Sequence, residues 1–227
     1  TLQNLKNTQC LGRLVTFSEI TMARYLCRAG SPAAADNYRP SLEAFMHETA
    51  LLGPHLRVLL IRAVTALAEI HIANGRTDAA LEILKPHVAT LEENGHIRRL
   101  ITLKLIMARA FLIKGDERMA IQIFDEAIYS GLFSGFKRVY IDNCQDMLPL
   151  INTMLKNDMG LPEDRYRDNF LKELRRKLKR EMRVLEQRSC LISPAEIRVL
   201  EELDRGFTNK EIARSLDISP NTVKYRL

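Results

Sequence analysis

The chain has 227 residues, 46% of them hydrophobic and 27% charged, with a formal net charge of +6. This is the balance of a globular chain, and no apolar run approaches the roughly 18 residues that a membrane span needs. Four scattered cysteines, Cys10, Cys27, Cys144 and Cys190, match neither a disulfide framework nor a zinc motif, so reduced thiols and a cytoplasmic setting are expected, with no membrane partner.

The chain opens on Thr1-Leu2-Gln3-Asn4-Leu5-Lys6, which is no secretory signal and lacks a starting Met. It is therefore expected to be part of a longer protein. Three glycines then mark a repeat: Gly30, Gly75 and Gly115. An alanine stands seven residues before each (Ala23, Ala68, Ala108) and another five after (Ala35, Ala80, Ala120). Around them, apolar residues recur at helical spacing. A glycine can take the left-handed conformation that ends one helix and allows a sharp turn. The alanines let two antiparallel helices approach closely.

Each unit thus reads as a helical hairpin, and stacked hairpins bury what one cannot bury alone. Helices are expected near 14–29 and 40–52, 57–74 and 77–93, then 97–114 and 117–130, with a seventh over 136–157. Gly53-Pro54 and Asn94-Gly95 separate the hairpins. The pattern resembles the tetratricopeptide repeat with longer helices. Such a superhelix presents a concave groove, which suits a small-molecule or protein effector whose identity the sequence does not give. Phe111, Tyr129, Phe133, Phe136 and Tyr140 fit either a pocket lining or, more often for such a stripe, interhelix core.

Gly160 and Pro162 mark the end of the repeats and the start of a helix over 162–187. Leu171, Leu174, Leu178, Met182 and Leu185 form a narrow stripe flanked by basic residues. The stripe fits a coiled-coil seam in a homodimer or docking on the chain's own last repeat. Residues 161–227 carry 16 Lys/Arg against 12 Asp/Glu, and residues 1–160 carry 18 against 16. The basic excess in the last third suits a polyanionic partner.

Three helix starts follow: Ser193-Pro194-Ala195-Glu196, Thr208-Asn209-Lys210-Glu211 and Ser219-Pro220-Asn221-Thr222. Each sets a hydroxyl at the N-cap, and the first two add a glutamate three residues on. The first helix is expected to bury Ile197, Leu200 and Leu203 and to close at Gly206. The second holds Ile212, Ala213 and Leu216, and Asp217-Ile218 makes the turn. Leu216, Ile218, Val223 and Leu227 can share one small core. With Val223 and Leu227 inward, Asn221, Lys224 and Tyr225 project outward, where Lys suits guanine acceptors and Asn suits adenine.

Leu203 to Ala213 and Leu216 to Lys224 resemble the DNA-binding domain of LuxR-type bacterial regulators. With the repeats, through Phe136–Asp142, the chain resembles the C-terminal part of the MalT-like branch. That resemblance implies a one-component transcription factor with a helical-repeat sensor and double-stranded DNA as partner. It implies that Lys224 and Tyr225 face base edges, with Asn221 and Thr222 near the backbone. Lys210, beside Thr208 and Asn209, matches a phosphate contact. Branch members carry an ATP-binding domain, but no phosphate loop occurs here. No cofactor is therefore expected in this chain, and any ATP site would precede Thr1. Ala195 stands where the family commonly has Arg. The family's recognition helix also runs past the position of Leu227, so the DNA-binding domain is expected to be incomplete.

The expected fold is all-α: a superhelix of tetratricopeptide-like hairpins (1–160), a basic linker helix (161–189) and a LuxR-type helix-turn-helix (190–227). No enzyme is expected. His47-Glu48 lacks the second histidine of a zinc-protease helix. His55, His71, His87 and His96 show no metal-ligand spacing, and Gly131–Gly135 has its serine one place off a nucleophile elbow. The competing reading is a repeat-built interaction module whose tail docks protein. Steep salt dependence would mark DNA instead.

Overall fold

The computed structural model describes residues 2–49, 57–132, 134–156, 165–189, 194–204 and 206–226. Among them every regular element is helical, and no helix is long and apolar enough to cross a membrane. The chain divides into two compact units, Thr1–Arg175 and Arg176–Leu227.

The first unit begins with α1 (Leu2–Arg28), α2 (Pro32–Asp36) and α3 (Arg39–Thr49). Two hairpins follow, α4 (Arg57–Ala73) with α5 (Thr77–Glu93), and α6 (Ile97–Lys114) with α7 (Glu117–Gly131). Then come α8 (Lys137–Asn143), α9 (Leu148–Lys156) and the start of α10 (Arg165–Ser189). α1, α4, α6 and α8 touch in succession and form one row; α3 and α5 pack between neighbouring members of that row. This is the stacked-hairpin arrangement that the repeat pattern predicts.

The pattern works as its chemistry requires. Gly30, Gly75 and Gly115 have φ of 75°, 75° and 87°. At each, the amide after the glycine donates back to a carbonyl of the finished helix: Ser31 to Leu26 (2.9 Å), Arg76 to His71 (2.8 Å) and Asp116 to Phe111 (2.9 Å). These bonds satisfy carbonyls that the helix end leaves open. All six repeat alanines are fully buried, since a larger side chain there would hold the helices apart. Asn94-Gly95 also breaks the chain as expected, with Gly95 at φ 66°. Gly53-Pro54 and Gly160-Pro162 lie outside the described residues.

Three expectations need correction. α1 starts at Leu2, well before residue 14, and α2 had no counterpart. Pro32 starts α2 and Ala35 is its buried anchor. The seventh helix is not continuous: α8 stops at Asn143, a 3₁₀ turn covers Gln145–Met147, and α9 restarts at Leu148. Pro149 explains the restart. It has no amide to donate, so it fits the first turn of α9 but not the interior of a helix running through from α8.

Tyr140 seals this end of the stack. Its ring is fully buried, its hydroxyl donates to the Ala127 carbonyl at 2.7 Å, and Phe170 of α10 meets it edge-on at 4.9 Å. Gly131 is needed for space: a Cβ there would collide with the Tyr140 hydroxyl and come within 2.6 Å of Ile101 Cδ1. The start of α10 docks on this unit through buried Phe170, Leu171 and Leu174 and through Arg167, whose guanidinium grips the Asp125 carboxylate at 2.7 and 3.1 Å. The first half of the α10 stripe is thus covered by its own chain. Of the other aromatics, Phe111 packs partly buried against the middle core, whereas Tyr129 and Phe136 are 54% and 39% exposed. Phe133 lies outside the described residues.

Candidate nucleic-acid interface

The second unit holds α11 (Pro194–Asp204), α12 (Asn209–Ser215) and α13 (Pro220–Arg226). α11 packs on both of the others, and α12 packs on α13. Their shared core is Val199, Ile212, Ala213 and Val223, with Leu216 and Ile218 packed against it. Ala213 is the small residue at the α12 crossing, as expected. Leu203 is a correction: it is 42% exposed, and Val199 takes the core position. Val199 and Glu202 are buried on the inward stripe, and Leu203, one turn after Val199 and about 40° around the helix from it, is exposed. The side chains of Ile197, Leu200 and Leu227 lie outside the described ones.

Two helix starts are fixed by hydroxyl caps. The Glu211 carboxylate accepts from the Thr208 amide at 2.8 Å and from its hydroxyl at 2.6 Å, closing a capping box. Those two bonds hold the Glu211 carboxyl below its ordinary value, the hydroxyl bond most. At α13, Ser219 Oγ accepts from the Thr222 amide at 3.0 Å and lies 2.8 Å from Thr222 Oγ1. The turn between them is a Schellman motif built on a non-glycine residue. Asp217 sits at φ 51°, and the Ile218 amide donates to the Ala213 carbonyl at 2.9 Å. Gly206 closes α11 the same way, at φ 84°.

These contacts set the outward face of α13. Val223 points into the core with no exposure. Asn221, Lys224 and Tyr225 lie roughly 100–200° around the helix from it, all exposed, Tyr225 by 93%. Thr222 is half-buried, its hydroxyl turned to Ser219. On α12, Lys210 is exposed and Asn209 half-buried, next to exposed Thr208. A large aromatic and a lysine, held outward by a capped helix, offer stacking area and a donor to whatever this face meets.

A second polar constellation lies in the first unit. Arg24, Glu69 and Arg109 each directly follow a repeat alanine, so the repeat sets them at equivalent places on α1, α4 and α6. No motif singles them out; their signal in the sequence is this register alone. Glu69 is 3% exposed and accepts from Arg24 Nε at 2.7 Å and Nη2 at 3.1 Å. Among the described residues, no group of three His, Cys, Asp or Glu is placed to hold a metal ion.

Residues 191–227 match the profile of the family described as bacterial regulatory proteins, luxR family. No curated protein matches the chain. Similar solved structures include the crystal structure of nearly identical TPR-like repeats of a kinesin light chain from Podosopora anserina. It is 16% identical, with a TM-score of 0.44, over 73% of this chain and 95% of that one. A point variant of it gives 16% and 0.44 over 76% and 94%. Residues 191–227 therefore carry a luxR-type helix-turn-helix, in one chain with the helical repeats described above.

Proposed function

We propose that the chain is part of a transcriptional regulator of the MalT-like kind, in which α13 enters the major groove of double-stranded DNA and the repeat region receives an effector or partner. The observation that carries this is the face formed by Asn221, Lys224 and Tyr225 opposite Val223, on the one segment with a luxR-family match. In this reading Lys224 and Tyr225 meet base edges. Asn221 lies near the backbone, as does Thr222, which contributes chiefly by fixing the start of α13. Lys210, with Thr208 and Asn209 beside it, sits on phosphate, positioning the unit without reading sequence. Neither Lys210 nor Lys224 is paired with a carboxylate among the described residues, so neither must break an ion pair to reach DNA.

The test begins by enriching a preferred duplex from a randomised pool on the chain. Lys224→Ala is then measured on that duplex and on random DNA. A base contact is worth roughly 1–3 kcal/mol, about 5- to 150-fold. Loss confined to the enriched duplex supports the assignment. Equal loss on both would place Lys224 on phosphate.

A further inference from the structure

The second unit carries a charged face that α12 and α13 do not use. On α10, Arg176, Lys179, Arg180 and Arg183 are all exposed. At 100° per residue they fall within one arc of about 100°, opposite Leu178, which is fully buried. Exposed Lys172 and Arg165 carry the same arc toward the start of the helix. No exposed acid shares it among the described residues. Asp168 is buried, its carboxylate 3.3 Å from Arg167. Glu173 reaches Lys137 at 2.8 Å, and half-buried Glu181 lies on the far side of the helix. None of these six cations pairs with a carboxylate among the described residues.

Such a face works against its own helix. Arg176 neighbours Lys179 and Arg180 three and four residues on, and Arg183 neighbours the same two three and four residues back. Like charges at those spacings destabilise a helix. Solubility does not call for one sign: exposed Lys85 of α5 stands among exposed Asp78, Glu82 and Glu93. A polyanion along the α10 face would turn the repulsion into attraction.

We infer that this face is a second DNA contact, lying along the phosphate backbone of the duplex that α13 reads. The inference rests on the regulator reading above and extends its footprint. Three observations select duplex DNA. The four cations belong to the same compact unit as the luxR-type segment. The tether is short: α10 runs six residues past Arg183 to Ser189, about 9 Å, and the five from there to Pro194 span at most about 17 Å. The face is thus held within about 26 Å of α11, less than one turn of DNA at roughly 34 Å. Its apolar opposite side is closed at Leu178, so this part of the helix has no free apolar face to insert into a lipid surface. Arginine and lysine on phosphate fix the position of the duplex and carry no sequence information.

DNA affinity of the full chain against salt tests it, on the enriched duplex and on random duplex of equal length. The variant is Arg176→Gln, Lys179→Gln and Arg183→Gln together. The comparison variant removes equal charge at three exposed sites elsewhere, Lys85→Gln, Arg118→Gln and Lys156→Gln. Glutamine is a good helix former, so the α10 variant should melt no lower than wild type. It should weaken both duplexes by the same factor and make log K against log salt shallower by about 2 or more, at roughly 0.9 per phosphate lost. The comparison variant should leave the slope nearly unchanged. An unchanged slope in the α10 variant, or an equal change in both variants, overturns the inference. So does loss of binding to phosphatidylserine vesicles with DNA binding intact. Failure of the regulator reading looks different: no duplex is enriched and Lys224→Ala changes nothing, while the α10 variant still weakens random DNA. A wild-type chain that binds no duplex overturns both.

Discussion

Replacing Gly131 with alanine should destabilise the repeat unit by an amount the packing around Tyr140 sets. The new methyl would collide with the Tyr140 hydroxyl and stand 2.6 Å from Ile101 Cδ1, about 1 Å inside ordinary carbon contact. Overpacking of that kind costs roughly 1–3 kcal/mol. If the hydroxyl swings away, its buried bond to the Ala127 carbonyl is lost, adding about 1–3 kcal/mol. The expected total is about 2–6 kcal/mol. Tyr140→Phe alone should cost about 1 kcal/mol. The double variant should cost less than the sum, by about 1–2 kcal/mol, because the colliding oxygen is gone. Urea unfolding followed by far-ultraviolet circular dichroism gives all four values. A Gly131→Ala change within about 0.5 kcal/mol of wild type, or strict additivity, would refute this packing.

Other outcomes follow from single features. Asp217 holds a left-handed turn at φ 51°, so Asp217→Gly should stabilise the helix-turn-helix by about 1 kcal/mol, read as a higher urea midpoint. Pro86 is exposed inside α5, and Pro86→Ala should stabilise the repeat unit by up to about 3 kcal/mol in the same assay. Burial holds the His71 and His87 imidazoles below their ordinary value. Their contribution is therefore complete above about pH 6.5 and lost as pH falls through the lower folded values. Stability should drop from pH 7 to pH 5, and His71→Leu should flatten part of that slope.

What the sequence made legible has a common physical basis. Gly30, Gly75 and Gly115 each meet a backbone demand that few residues satisfy, and the six alanines a steric one, so the hairpins could be read directly. The caps at Thr208 and Ser219 were legible for the same reason: the chemistry is local. Features set by distant partners were not. The α8–α9 break depends on how Pro149 falls in register, and the exposure of Leu203, one turn from buried Val199, depends on how far along α11 its packing on α12 and α13 reaches. The α10 stripe allowed two partners until Leu171 and Leu174 were seen against the repeats. The buried Arg24–Glu69 pair needed α1 and α4 to come together before it could be recognised.

DNA affinity as a function of salt tests the central claim most directly. The chain's Kd for its enriched duplex would be measured from about 50 to 300 mM monovalent salt, and again for Lys210→Ala. With Lys210 on a phosphate, log K against log salt should fall with a slope of about −1 or steeper, at roughly −0.9 per phosphate neutralised. Lys210→Ala should make it shallower by about 1. Binding that ignores salt, or a slope unchanged by losing Lys210, would contradict DNA recognition through α12 and α13.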